Sequence, residues 1–231
     1  MMTDLVSRYL WTKESTIIQI EATVCNFLGE GTMIVTFQGK TPQISPAAFV
    51  AETAALIGDV TVGPDSSVWY GAVIRGDCSR ITVGCGTNIQ DNAVLHTEIG
   101  HPLTIGDNVT IGHGAIVHCA SVGSNTLIGM GAILLDGAVI GDHCMIGAGA
   151  VVKERSIVPP GTMMVGVPAK CVRELGPEQL SLLDGTPPYV ALSKAYLDGH
   201  SVCSACGFLA DRYFTACPRC SASLEHAEYE A

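Results

Sequence analysis

The stretch Val122-Gly123-Ser124-Asn125-Thr126-Leu127-Ile128-Gly129-Met130-Gly131-Ala132-Ile133-Leu134 opens a run with an aliphatic residue at every sixth position: Val122, Ile128, Leu134, Ile140, Ile146, Val152 and Val158. Upstream the same step gives Val50, Leu56, Val62, Val68 and Ile74. After one insertion it gives Val83, Ile89 and Leu95, and after a second Ile105, Ile111 and Val117. Glycine often follows at once, as at Gly63, Gly84, Gly106, Gly112, Gly123, Gly129, Gly141 and Gly147. A fixed short period is the signature of a stacked-repeat architecture. Six residues supply one short strand and one corner, three hexads close a coil, and coils stack about 4.8 Å apart. The predicted fold is therefore an all-β parallel β-helix shaped as a triangular prism, with the aliphatics inside and glycines at tight corners. A β-sandwich or an α/β fold would not keep so regular a step. Residues 50–165 hold about six coils.

The bulk composition agrees with a turn-rich repeat. The 231 residues include 26 glycines, with only 6% aromatic and 15% charged residues. A net charge of −10 disfavours nucleic acid, whose phosphates recruit clustered Lys and Arg, and disfavours an anionic membrane surface. No apolar run is long enough to span a bilayer, and the first 16 residues lack the apolar core of a secretory signal. A cytoplasmic location is expected, with most of the ten cysteines reduced or metal-bound rather than disulfide-linked.

Repeat phase sorts the histidines. His96 directly follows interior Leu95, and His118 directly follows interior Val117, so the two share a phase and should stack on successive coils. His113 stands two residues after interior Ile111 and should emerge near the preceding corner. If all three bind one ion, His113 must come from a neighbouring subunit, and a three-sided prism suits threefold packing. Three neutral imidazoles with water in the fourth position make a catalytic zinc arrangement.

The stretches 58–60, 68–77, 88–96, 111–118 and 166–170, which include Trp69-Tyr70-Gly71, Arg75-Gly76-Asp77 and Gln90-Asp91-Asn92, resemble the γ-class carbonic anhydrase-like family of hexapeptide-repeat proteins. The resemblance runs from Phe37 to Leu175 and on to Leu197. It implies a left-handed coil, a homotrimer, and zinc, or iron in some members, bound by His96 and His118 of one chain and His113 of the next. It also implies that Arg75 and Asp91 pair across the interface, that Asp77 supports the site, and that Gln90 bonds the metal-bound hydroxide. Tyr189 resembles the family's C-terminal site tyrosine, with Tyr196 the competing choice.

The implied activity is reversible hydration of carbon dioxide to bicarbonate, a lyase (carbonate dehydratase) reaction in which metal-acidified water is the nucleophile. The acidic loop with a glutamate shuttle, found in the most active members, is not matched here. Cys78-Ser79-Arg80 follows Asp77, and only a short segment, containing Glu98 and His101, joins His96 to His113. The alternatives are a metal-dependent coenzyme A thioesterase, a hexapeptide acyltransferase, and a non-catalytic trimeric scaffold.

Beyond the prism, expected over residues 35–170 after a 1–34 extension, residues 171–200 read as a helical segment. Pro177 to Leu183 and Tyr189 to Leu197 are predicted helices that bury Leu180, Leu183, Leu192 and Tyr196 on the prism. In the final segment, 201–231, Cys203-x2-Cys206 and Cys217-x2-Cys220 read as a four-thiolate zinc ribbon holding a second, structural zinc. With few basic residues around it, that ribbon is expected to contact protein or to serve a purely structural role rather than to bind nucleic acid.

Overall fold

The computed structural model describes residues 33–184 and 188–198, with the backbone of 200–202 and 209–211. Its body is a parallel β-helix of about seven turns. The first face carries Met33–Val35, the leading halves of Ala55–Val62 and Val73–Val83, then Val94–His96, Ile116–His118, Ile133–Leu134 and Val151–Val152. The second carries Gln43–Ile44, the trailing halves of the same two long strands, Leu103–Ile105, Ser121–Val122, Val139–Ile140 and Ile157–Val158. The third runs from Phe49–Val50 to Thr162–Val165. One more coil is present than the six expected, because coiling begins at Met33 rather than Val50.

The hexad aliphatics point inward as the period requires. Leu56, Ile74, Leu95, Val117 and Leu134 stack up the inside of the first face, all fully buried. Each is worth about 1.5–3 kcal/mol on burial. Two residues before each of these, and before Val152 of the next coil, stands a small one, giving a column of Ala54, Ala72, Ala93, Ala115, Ala132 and Ala150, because the corner of so narrow a prism has no room for more.

Two corner devices explain the residues that break the apolar pattern. Asn92, Asn108 and Asn125 adopt left-handed backbone with φ of 58°, 53° and 53°, which asparagine tolerates better than most residues. At Gly63 and Gly84 the coils approach so closely that an added Cβ would lie 2.6 Å from the carbonyl oxygen of the next coil, of Gly84 and Gly106 respectively. Glycine there is a packing requirement.

The prism is closed by an antiparallel pair, Thr162–Val165 with Lys170–Glu174. The second of these strands opens the segment 171–200, ahead of the two predicted helices. Helices α1 (Pro177–Asp184) and α2 (Pro188–Asp198) follow. The i, i+4, i+7, i+8 set Tyr189, Ser193, Tyr196 and Leu197 turns inward, and Phe49 and Trp69 of the third face receive the two tyrosine rings and Leu197. Tyr196 lies 5.4 Å from Phe49 and 5.2 Å from Trp69, ring centre to ring centre. Leu192 lies off this face and is 45% exposed, contrary to expectation, whereas Leu180 and Leu183 of α1 are half-buried. Among the described residues no helix is long and apolar enough to cross a membrane.

The extension over 1–32 and the ribbon ligands Cys203, Cys206, Cys217 and Cys220 lie outside the described residues. The antiparallel strands His200–Val202 and Leu209–Asp211 bracket the sequence that contains Cys203 and Cys206.

Candidate metal centre

Strands Val73–Val83, Val94–His96 and Ile116–His118 are hydrogen-bonded neighbours on the first face, in a register that aligns Arg75 with His96 and His96 with His118. The equal phase read from the hexads is therefore an equal position across the first face, one coil apart, and the insertion around Gly100 is taken up without disturbing it. Both rings leave the same face, with His96 Nδ1 3.1 Å from His118 Nε2.

The outer nitrogens of the pair are held by carboxylates. His96 Nε2 is 3.2 Å from Asp77 Oδ1, and His118 Nδ1 is 2.5 Å from Asp136 Oδ1. Asp77 is shared, since its other oxygen accepts from Arg75 Nη1 at 2.7 Å. Burial raises the Asp77 carboxyl, but the Arg75 hydrogen bond and charge, with His96, outweigh it and leave Asp77 below the ordinary aspartate range. Burial, then the Arg75 charge, lowers His96, which favours the neutral ring that can bind metal.

This arrangement suits a cation. If both outer nitrogens donate to their carboxylates, two lone pairs face one another across 3.1 Å. That is repulsive alone, yet near the nitrogen spacing of about 3.3 Å set by tetrahedral zinc with Zn–N of about 2.0–2.1 Å. Two thiols stand nearby. Asp77, Cys78 and His96 form one cluster of close ligand atoms, and His118, Cys119 and Asp136 form another. Cys119 is buried and its sulfur already accepts the Glu98 N–H at 3.0 Å, whereas Cys78 is exposed.

His113 belongs elsewhere in the chain. Its Nδ1 is 2.9 Å from Asp91 Oδ2, and its backbone N–H donates to Gln90 Oε1 at 3.2 Å. Gln90, 5% exposed, also donates from Nε2 to Asn88 Oδ1, so its amide orientation is set within its own chain. Among the described residues no close cluster of ligand atoms combines His113 with His96 or His118. Burial and, after it, the charge of Asp91 raise the hydroxyl of Tyr189, and burial, Glu52, Tyr196 and Asp91 raise that of Tyr70. Tyr189 therefore stands in the field of the Asp91–His113 pair. Tyr196 is enclosed by Phe49, Trp69 and Tyr70.

The predicted residues thus fall into two groups. Arg75, Asp77, His96 and His118 form one, and Gln90, Asp91, His113 and Tyr189 the other. Within the chain Arg75 pairs with Asp77 and Asp91 with His113. Sequence reasoning missed Asp136, although its position 18 residues beyond His118 marked it as a neighbour on the next coil.

Residues 120–154 match the bacterial transferase hexapeptide (six repeats) family, and residues 102–136 the hexapeptide repeat of succinyl-transferase. The carbonic anhydrase of Geobacillus kaustophilus is 47% identical over 143 residues, 62% of this chain and 79% of that protein. The chain belongs to the γ-class carbonic anhydrase-like family. Gamma carbonic anhydrase 1, mitochondrial, of Arabidopsis thaliana is also 47% identical, over 150 residues and 62% of this chain, and this γ-class chain spans only 54% of its length. A crystal structure of a hexapeptide transferase family protein from Anaplasma phagocytophilum superposes with a TM-score of 0.68 at 42% identity, covering 71% of this chain and 98% of that one. Both groups of site residues lie within the β-helix and the helix docked on it, and the C-terminal cysteines lie beyond them.

Proposed function

We propose that this chain acts as a trimer whose interfaces each hold a zinc or iron ion between His96 and His118 of one subunit and His113 of the next, and that the site hydrates carbon dioxide reversibly to bicarbonate. The observation that carries this reading is the facing pair of ring nitrogens, 3.1 Å apart and each backed by a carboxylate, with the third histidine stationed on a different edge.

An ion bound by three neutral imidazoles lowers the pKa of water to about 7 and supplies a hydroxide nucleophile at neutral pH. The chain's residues prepare and orient that centre. Asp77, anchored by Arg75, and Asp136 fix the outward nitrogens of the two histidines, so that the inward ones present lone pairs. Asp91 fixes the His113 ring in the same manner. Gln90 is buried and already bonded to Asn88 and to the His113 backbone, so its remaining amide N–H is the group left to hold an oxygen of substrate. Tyr189 would close the site beside Asp91. Proton export would depend on buffer, because Glu98 and His101 on an exposed hairpin take the place of an acidic shuttle loop.

The four C-terminal cysteines would hold a second, structural zinc, with the ribbon free to contact a protein. Acyl transfer or thioester hydrolysis is the second reading, favoured by the likeness to the hexapeptide transferase family protein. Metal analysis with stopped-flow carbon dioxide hydration, on anaerobically iron-loaded and on zinc-loaded protein, tests the proposal. About two metals per chain and hydration that disappears in His113→Ala are expected. Unchanged metal content in that variant, or acyl-coenzyme A turnover without hydration, rejects it.

A further inference from the structure

The two facing histidines are oriented differently. His96 turns Nδ1 inward and Nε2 toward Asp77, whereas His118 turns Nε2 inward and Nδ1 toward Asp136. Their carboxylates differ as well. Asp77 carries the Arg75 guanidinium on its second oxygen, which offsets its charge, while among the described residues no Lys or Arg pairs with Asp136. Asp136 is placed by the corner of the following coil. Leu134 is in register with Val117, and Gly137, at φ +69°, turns the chain immediately after the aspartate. The Asp136 backbone carbonyl accepts from Arg155 N at 2.8 Å, which ties this corner to the coil above.

We infer that Asp136 is the positioning residue for His118: it holds the ring as the Nδ1–H tautomer and keeps Nε2 as a free, electron-rich donor facing His96. A free imidazole is under no such constraint, and the hydrogen bond on one ring nitrogen decides which one carries the proton. The effect on metal affinity rests on the proposed metal site, but the tautomer does not.

The test uses full-length, metal-free protein with 15N-labelled histidine, at a pH where the rings are neutral. Long-range proton–nitrogen correlations report the tautomer, and the His118 signal is identified by its loss in His118→Gln. Wild type is expected to show Nδ1–H at His118. Asp136→Ala should lose that preference, and Asp136→Asn, which keeps an acceptor oxygen, should retain it. In parallel, zinc competition against a chromophoric chelator is read on the equivalent that His113→Ala lacks. Asp136→Ala should weaken it about 10–100-fold, with Asp136→Asn falling between it and wild type. An Nε2–H tautomer in wild type, or wild-type zinc affinity in Asp136→Ala, overturns the assignment. Unchanged zinc binding in His118→Gln would instead reject the metal site, whatever the tautomer shows. Asp136→Asn differs from wild type by one atom in shape, so it keeps the test decisive if the alanine variant folds poorly.

Discussion

His96 and His118 stand in register on adjacent parallel strands with ring nitrogens 3.1 Å apart, so the distance between them is set by the coil spacing of the prism. Neither histidine is part of the interior. Replacing either with alanine should therefore remove one metal equivalent per chain while changing the melting temperature of the metal-free protein by only a few degrees. Elemental analysis and thermal unfolding of the two variants check this together.

The interior should behave in the opposite way. Ile128 is fully buried between coils, and truncation to alanine leaves a cavity in a prism too narrow to collapse around it. Ile128→Ala should cost about 2–5 kcal/mol, measured by denaturant unfolding, without altering metal stoichiometry in the protein that remains folded.

Gly58 tests the corner packing. Its φ is +76°, and a Cβ there would lie 2.6 Å from the backbone oxygen of Gly76, next to Asp77. Gly58→Ala should destabilise the fold by more than 1 kcal/mol, beyond the cost of left-handed backbone alone, because a backbone carbonyl must move. Movement at Gly76 would also displace Asp77, so zinc affinity should fall along with stability.

Asp59 gives a pH dependence remote from the metal. Its carboxylate takes Lys40 at 2.8 Å and Arg80 at 3.1 Å, and the Lys40 hydrogen bond, against a smaller opposing effect of burial, holds it below the ordinary aspartate range. A depressed folded-state value means that the stabilisation is complete above the unfolded value of about 3.9 and is lost as pH falls through the lower folded value. Since Lys40 and Arg80 are largely exposed, the total should be about 0.5–1 kcal/mol. Asp59→Asn should therefore unfold more easily than wild type at pH about 7, and the difference should shrink as pH falls below the unfolded value of about 3.9.

The sequence was most informative where its period was unbroken. Val122 to Val158 dictated strand, corner and interior without help, and the same phase rule placed His96 beside His118 across an insertion. It failed where tertiary contact overrides period. The coil beginning at Met33 carries the step only at Ile44, six residues before Val50, and is recruited by pairing with Ala55–Val62. Leu192 looked like a core residue until the aromatic set Phe49, Trp69, Tyr189 and Tyr196 decided which face of α2 turns inward. Asp136 was missed because a carboxylate between Leu135 and Gly137 reads as an ordinary turn residue. Its role emerges only when the coil above is laid against His118.

A metal site built from two subunits can be tested by complementation between chains. His113→Ala and His118→Ala chains, each lacking the interfacial metal alone, can be co-refolded in equal amounts into mixed trimers. An interface is then complete only where an intact His96–His118 pair meets an intact His113, which random mixing yields at about one quarter of interfaces. Recovery of about a quarter of the interfacial metal, with hydration activity in proportion, is the expected result. A mixture that stays empty, or a His113→Ala protein that holds its full metal unmixed, would show that the three histidines do not share an ion between chains.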